Sequence, residues 1–203
     1  MRSILWIVLW GSLGGLGTSL AATPPQDPQL PMEALGFDGY REYGYRAPTP
    51  PSSPVAWTVD TREVRTLLET QQAVAVDVAA AVRRPAGGGL PAAWIPSAPR
   101  RDIPGSVWLP NVGYPTLSPA MDDYFRRELQ RITQGRLDRG LVFYCVVDCW
   151  LSWNAVLRAA SYGYTRLYWY PAGTDGWANA GLPLVDAVPV PLTSPADATT
   201  AAR

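Results

Sequence analysis

Histidine and lysine are both missing from this 203-residue sequence, and cysteine occurs only twice. Without histidine the chain lacks the commonest general base and the commonest metal ligand. Ser-His and Cys-His dyads are excluded, as is haem attachment through Cys-x-x-Cys-His. Without lysine there is no Schiff-base chemistry and no Walker-type phosphate loop. All 17 basic residues are therefore arginine, and 17 acidic residues balance them to a formal net charge of zero. A chain without excess positive charge has no electrostatic attraction for nucleic acid or anionic membranes. No metal and no cofactor is expected. Thiol, carboxylate, hydroxyl, guanidinium and backbone N–H groups remain for chemistry.

Residues 1–22 read as a secretory signal, with Arg2 as the n-region, an apolar stretch from Ile4 to Leu20, and Ala21-Ala22 at the cleavage site. No stable membrane span is expected once it is cleaved. The absence of lysine fits a GC-rich coding bias, so the expected compartment is a bacterial periplasm, which is oxidising. Residues 23–57 form a Pro-rich arm or linker, because Pro48, Pro50, Pro51 and Pro54 forbid a regular element. Its tyrosines leave two readings open, a flexible leader or a segment packed on the domain surface. The folded domain spans 58–186, and 187–203 reads as a disordered Pro/Ala/Thr tail.

Within the domain, Asp60 and Glu63 have capping-box spacing ahead of Val64, Leu67 and Leu68. Ala73–Val78 reads as a buried strand ending near Asp77, a residue expected to bond nearby backbone N–H groups. Residues 83–101 form a long Pro/Gly-rich excursion carrying Arg83, Arg84, Arg100 and Arg101. It is either a solvated loop or a lid over the site. Ser106–Leu109 reads as a short strand. Ser118-Pro119 starts a helix whose apolar face is Met121, Phe125, Leu129 and Ile132. Leu167–Tyr170 is another strand, and Thr174 or Asp175 is expected to cap a last short helix. Strands alternating with helices predict an α/β fold with a mainly parallel sheet flanked by helices.

Chemistry concentrates in one stretch, Leu141 to Ala155. An apolar run of buried-strand character, Leu141 to Tyr144, meets Cys145, and a helix follows from Leu151 to Ser161. A cysteine in a loop between strand and helix lies near backbone N–H groups and the positive end of the helix dipole, both of which favour a thiolate. The candidate site residues are Cys145 and Cys149 for catalysis, with Trp150, Trp153, Asn154, Arg100 and Arg101 for substrate or partner binding. For Trp150 an exposed face toward a partner is expected. Asn154 either bonds loop carbonyls or lies on the helix surface.

In this order the domain resembles the rhodanese-like fold. The carriers are Val74–Val78 with Asp77, then Asp102-Ile103-Pro104-Gly105-Ser106, Cys145 at a strand end, Gly163-Tyr164, and Gly173 to Trp177 followed by Gly181-Leu182-Pro183. Tyr144-Cys145 through Asp148-Cys149-Trp150, with Trp169-Tyr170-Pro171 and the early Tyr45-Arg46-Ala47-Pro48, is similar to a narrower group. That group is the CXXCW-motif proteins associated with PQQ-dependent catabolism, here with the spacing C-x3-C-W. The resemblance implies a periplasmic accessory protein of a PQQ-dependent alcohol oxidation system, with a PQQ-dependent dehydrogenase or periplasmic cytochrome as partner. It also implies sulfur chemistry at Cys145. Against the rhodanese pattern, Val146, Val147 and Asp148 bring no cation to the loop, Ala79 stands where an Arg is usual, and Asp102 where a His is usual. Vigorous thiosulfate sulfurtransfer is therefore not expected.

For the cysteine pair three readings stand open: a structural disulfide, a redox dithiol in which Cys145 attacks and Cys149 resolves, and a persulfide carrier. The class-level alternative is a non-enzymatic module that docks a quinoprotein dehydrogenase or cytochrome.

Overall fold

The computed structural model describes residues 36, 38–90, 92–96 and 98–192. The expected signal (1–22) and the last part of the expected tail (193–203) lie outside the described residues. The core is a five-stranded sheet of β1 (Trp57–Thr58), β8 (Leu167–Tyr170), β7 (Gly140–Tyr144), β2 (Ala73–Asp77) and β6 (Val107–Trp108), in that spatial order. All four pairings are parallel. The expected mainly parallel α/β sheet flanked by helices is the architecture observed. Strand β1, at one edge beside β8, has no signal in the Pro-rich sequence around it.

Side-chain alternation along β7 sorts the core into two layers. Leu141 and Phe143 face α2 (Pro119–Thr133) and α3 (Trp150–Ser161), with Cys145 in that same layer. Val142 and Tyr144 face α1 (Thr61–Glu69) and α4 (Gly173–Asn179). Helix α1 starts with the expected capping box: Glu63 N–H donates to Asp60 at 2.8 Å, and Asp60 N–H donates to Glu63 at 2.8 Å. Helix α2 starts at Ser118 with Pro119 inside its first turn, and buries Tyr124 and Glu128 beside the expected apolar face. Helix α4 differs from expectation. Its N-cap is Ala172, without a side-chain cap, so neither Thr174 nor Asp175 plays that part.

The excursion is ordered as a hairpin of β3 (Val82–Arg84) and β4 (Ala93–Ile95). It returns through β5 (Arg101–Asp102), which pairs antiparallel with β9 (Val185–Asp186). The described residues that follow β9 bond back to the domain. Val190 donates its N–H to Trp108 O at 2.9 Å, and its carbonyl accepts from Trp94 Nε1 and the Tyr124 hydroxyl, each at 2.9 Å. Backbone bonds to a sheet edge hold this stretch, and such bonds leave no trace in composition.

Candidate active site

Cys145 is the first residue beyond β7, and Cys149 is the N-cap of α3. The turn between them needs a left-handed backbone at Asp148, φ 53°. Asparagine and aspartate tolerate that region better than branched residues do. From one side the turn is held by α4. Thr174 N–H donates to Cys145 O at 3.1 Å, and Val147 N–H donates to Asp175 Oδ2 at 2.8 Å. Gly173 permits this approach, since a Cβ there would lie 2.5 Å from the Cys145 carbonyl oxygen.

Both sulfurs are buried, and they are not joined in a disulfide. The two cysteines act on each other directly, and that interaction moves their acidities in opposite directions. Cys145 is pushed well above the ordinary thiol value, first because it shares its proton with Cys149, then by burial and by the Asp77 charge. Cys149 is drawn down to about 7, first by the Cys145 hydrogen bond. The N–H groups of Leu151 and Val146 and the charge of Arg46 add to this against the opposing effect of burial. The two thiols are thus moved in opposite directions, Cys149 downward and Cys145 upward. A strand-end position alone did not aim the helix N-terminus at Cys145; the cap residue receives it.

Behind Cys145 is a buried ionic cluster. Arg100 Nε donates to Asp77 Oδ2 at 2.6 Å and lies 3.3 Å from Asp102 Oδ1, while Arg100 Nη2 reaches Cys145 O at 3.3 Å. Asp77 also accepts the Ala79 N–H at 2.8 Å, as expected for a strand-end carboxylate. Burial and the neighbouring Asp77 raise the Asp102 carboxyl to about 9 despite Arg100, so it is a neutral acid at pH 7. Burial opposes the Arg100 charge, yet Asp77 outweighs it and raises the guanidinium above its ordinary value. Arg101 is not part of the site: its guanidinium bonds Leu184 O, away from the sulfurs. The excursion thus sends Arg100 beneath the loop, to the Cys145 carbonyl.

The cover comes from the Pro-rich arm. Arg46 forms an antiparallel bridge with Cys149; Ala47 N–H donates to Asp148 O at 3.1 Å, and Trp150 N–H to Tyr45 O at 2.9 Å. Trp150 Nε1 donates to Pro48 O at 3.2 Å, and the Arg41 guanidinium lies 4.8 Å from the Trp150 ring. Asn154 pairs with the arm as a backbone would: its Oδ1 accepts from Arg41 N–H at 2.8 Å and its Nδ2 donates to Arg41 O at 2.9 Å. It also donates to Gly113 O at 2.9 Å, so it bonds loop carbonyls and is not a surface residue.

Trp150 does not present the expected exposed face. Trp150 is fully buried beneath the arm, Trp153 is 1% exposed, and Tyr170 is fully buried. Trp153 packs edge-on between Trp150 and Trp169 as core. Residues that the sequence did not single out include Arg41 and Arg158, and Arg46 was quoted there only as part of a run, with no role. Arg158 donates to the carbonyls of Val112, Tyr114 and Pro115. One signal was available: Asn154 and Arg158 are polar residues one turn apart on a largely apolar helix.

No protein-family profile and no curated relative matches the chain. Solved structures do. The chain is similar to a thiosulfate sulfurtransferase from Pseudomonas aeruginosa, at 18% identity and a TM-score of 0.43, over 72% of this chain and 23% of that one. It is similar to the polysulfide-sulfur transferase homodimer of Wolinella succinogenes at 15% identity and a TM-score of 0.41, covering 66% and 82% of the two chains. A human single-domain sulfurtransferase is similar at 25% identity and a TM-score of 0.39, covering 61% and 96%. The chain spans less than a quarter of the Pseudomonas protein.

Proposed function

We propose that the chain is a rhodanese-like periplasmic accessory protein of a PQQ-dependent alcohol oxidation system, and that its chemistry is thiol–disulfide exchange at Cys149 and Cys145. The observation that carries the chemistry is the placement of two buried free thiols at the two ends of one short loop, Cys145 just beyond β7 and Cys149 at the N-cap of α3. The periplasmic and PQQ context is supported by the run Tyr144-Cys145 to Cys149-Trp150 and its resemblance to the CXXCW-motif proteins, and the partner is a dehydrogenase or cytochrome of that system.

In the exchange, the Cys149 thiolate attacks one sulfur of a substrate disulfide and the substrate S–S bond breaks. The first leaving group departs as a thiolate with the electron pair. Cys145 then attacks Cys149, and its proton leaves on the second substrate thiol. The protein pair is oxidised to a disulfide and the substrate disulfide is reduced to two thiols.

A second reading, a purely structural bridge in a docking module, is favoured by the burial of both sulfurs at 3% and 4% exposure. Equilibration against glutathione redox buffers separates the two. A potential of about −270 to −120 mV supports exchange, and one below about −300 mV supports the structural bridge.

A further inference from the structure

The loop that carries the cysteines has no cation of its own, since Val146, Val147 and Asp148 fill it. A cation reaches it from the arm. The antiparallel bridge sets Arg46 directly opposite Cys149, and the flanking bonds Ala47 N–H to Asp148 O and Trp150 N–H to Tyr45 O fix that register. Residues opposite each other in an antiparallel pair project to the same side, with Cβ atoms about 4.5–5.5 Å apart. Arg46 is exposed where Cys149 is buried, so of the two residues on that shared side it is the arginine that is open to solvent. It forms no ion pair with any carboxylate among the described residues.

We infer that Arg46 is a specificity-determining residue of the cysteine site, directing Cys149 toward disulfides that carry a negative charge beside the S–S bond. The inference rests on the thiol–disulfide reading given above. An anion approaching Cys149 from solvent meets Arg46 first. The other charges around the loop do not take its place. Arg100 is committed to Asp77 and Asp102 beneath Cys145, and Arg41 lies over the Trp150 ring. Asp148 in the turn and Asp175 under Val147 are both negative and would repel the same substrate. The electrostatic effect of Arg46 on Cys149, which favours its thiolate, has the same sign and origin. The reaction is unchanged in its balance: Cys149 thiolate forms the new S–S bond, and the anionic thiolate leaves past Arg46.

The test uses reduced protein carrying Cys145→Ser, so that only Cys149 reacts. Its rate constants with an anionic aromatic disulfide, dithiobis(nitrobenzoate), and a neutral one, dithiodipyridine, are compared with and without Arg46→Gln. The anionic-to-neutral rate ratio is expected to fall about fivefold on removing one charge at this solvated position, and added salt should narrow the difference. Arg46→Lys should restore most of the ratio. An unchanged ratio, or equal acceleration of both probes because the arm has merely loosened, overturns the role of Arg46 while leaving thiol–disulfide exchange in place. Failure of Cys149 to react with either probe overturns the exchange reading itself.

Discussion

The two ends of one short loop place two chemically identical side chains in opposite surroundings. At the sheet end, Cys149, burial and the Asp77 carboxylate push the Cys145 thiol up. At the helix end, Cys149 lies opposite an arginine of the arm and is drawn down by Cys145 and by the N–H groups of Leu151 and Val146. Both residues are almost fully buried, so what differs between the two ends is the set of neighbouring donors and charges.

The largest effect should come from exchanging the two ends. Cys149→Ser is expected to slow reaction with a small disulfide at pH 7 by at least about tenfold. Cys145→Ser, whose hydroxyl can still donate to Cys149, should stay reactive and accumulate mixed disulfides. Mass spectrometry of the adducts reads this directly. Trapping through Cys145 instead would restore the roles expected from sequence.

At the Cys145 end, Arg100→Ala would leave Asp77 buried without its partner, and a loss of about 3–5 kcal/mol is expected. Arg101→Ala, one residue along but on an exposed side chain, should cost no more than about 0.5 kcal/mol. Urea unfolding of the two variants side by side measures the contrast. Equal losses would mean that the ionic cluster does not anchor the loop.

The pH dependence of stability sharpens the same contrast, because the two ends act with opposite signs. Asp102 binds its proton up to about pH 9 when folded but only to 3.8 when unfolded. The folded state therefore holds the extra proton, and stability should fall with rising pH from about 4, by up to about 1.4 kcal/mol per unit. Cys149 is deprotonated above about 7 when folded but only above 9 when unfolded, so its contribution rises over that interval. The reduced protein should lose stability between pH 5 and 7 on the Asp102 slope and level off between about 7 and 9. In Asp102→Asn the decline below 7 should disappear and the rise above it should remain. A decline that survives in that variant would show that another group causes it.

A smaller loss than that of Arg100→Ala belongs to the cover on the Cys149 end. Asn154→Ala removes the paired bonds to Arg41 and the bond to Gly113, and a loss of about 1–3 kcal/mol is expected. Faster modification of Cys149 should accompany it as the arm loosens. Unaltered thiol reactivity would mean that the arm stays closed without Asn154.

The order of elements was legible in the sequence because each has a local cause. An unbroken apolar run makes β7, Asp60 with Glu63 caps α1, and Ser118-Pro119 starts α2. The meeting of strand, cysteines and helix was legible for the same reason. Tertiary structure decided the rest. Nothing in the arm's composition says that Tyr45 and Ala47 form backbone bonds to the cysteine loop, since main-chain hydrogen bonds carry no side-chain signature. That pairing buries Trp150, converts an expected docking face into core, and sets Arg46 opposite Cys149. Likewise Arg100 and Arg101 are adjacent in sequence, but only the fold turns one inward to Asp77 and the other outward to Leu184. Which sulfur ionises depends on donors and charges drawn from the arm, α3 and the sheet at once. Proton affinity is set by everything within a few ångströms, and only the folded chain specifies what that is.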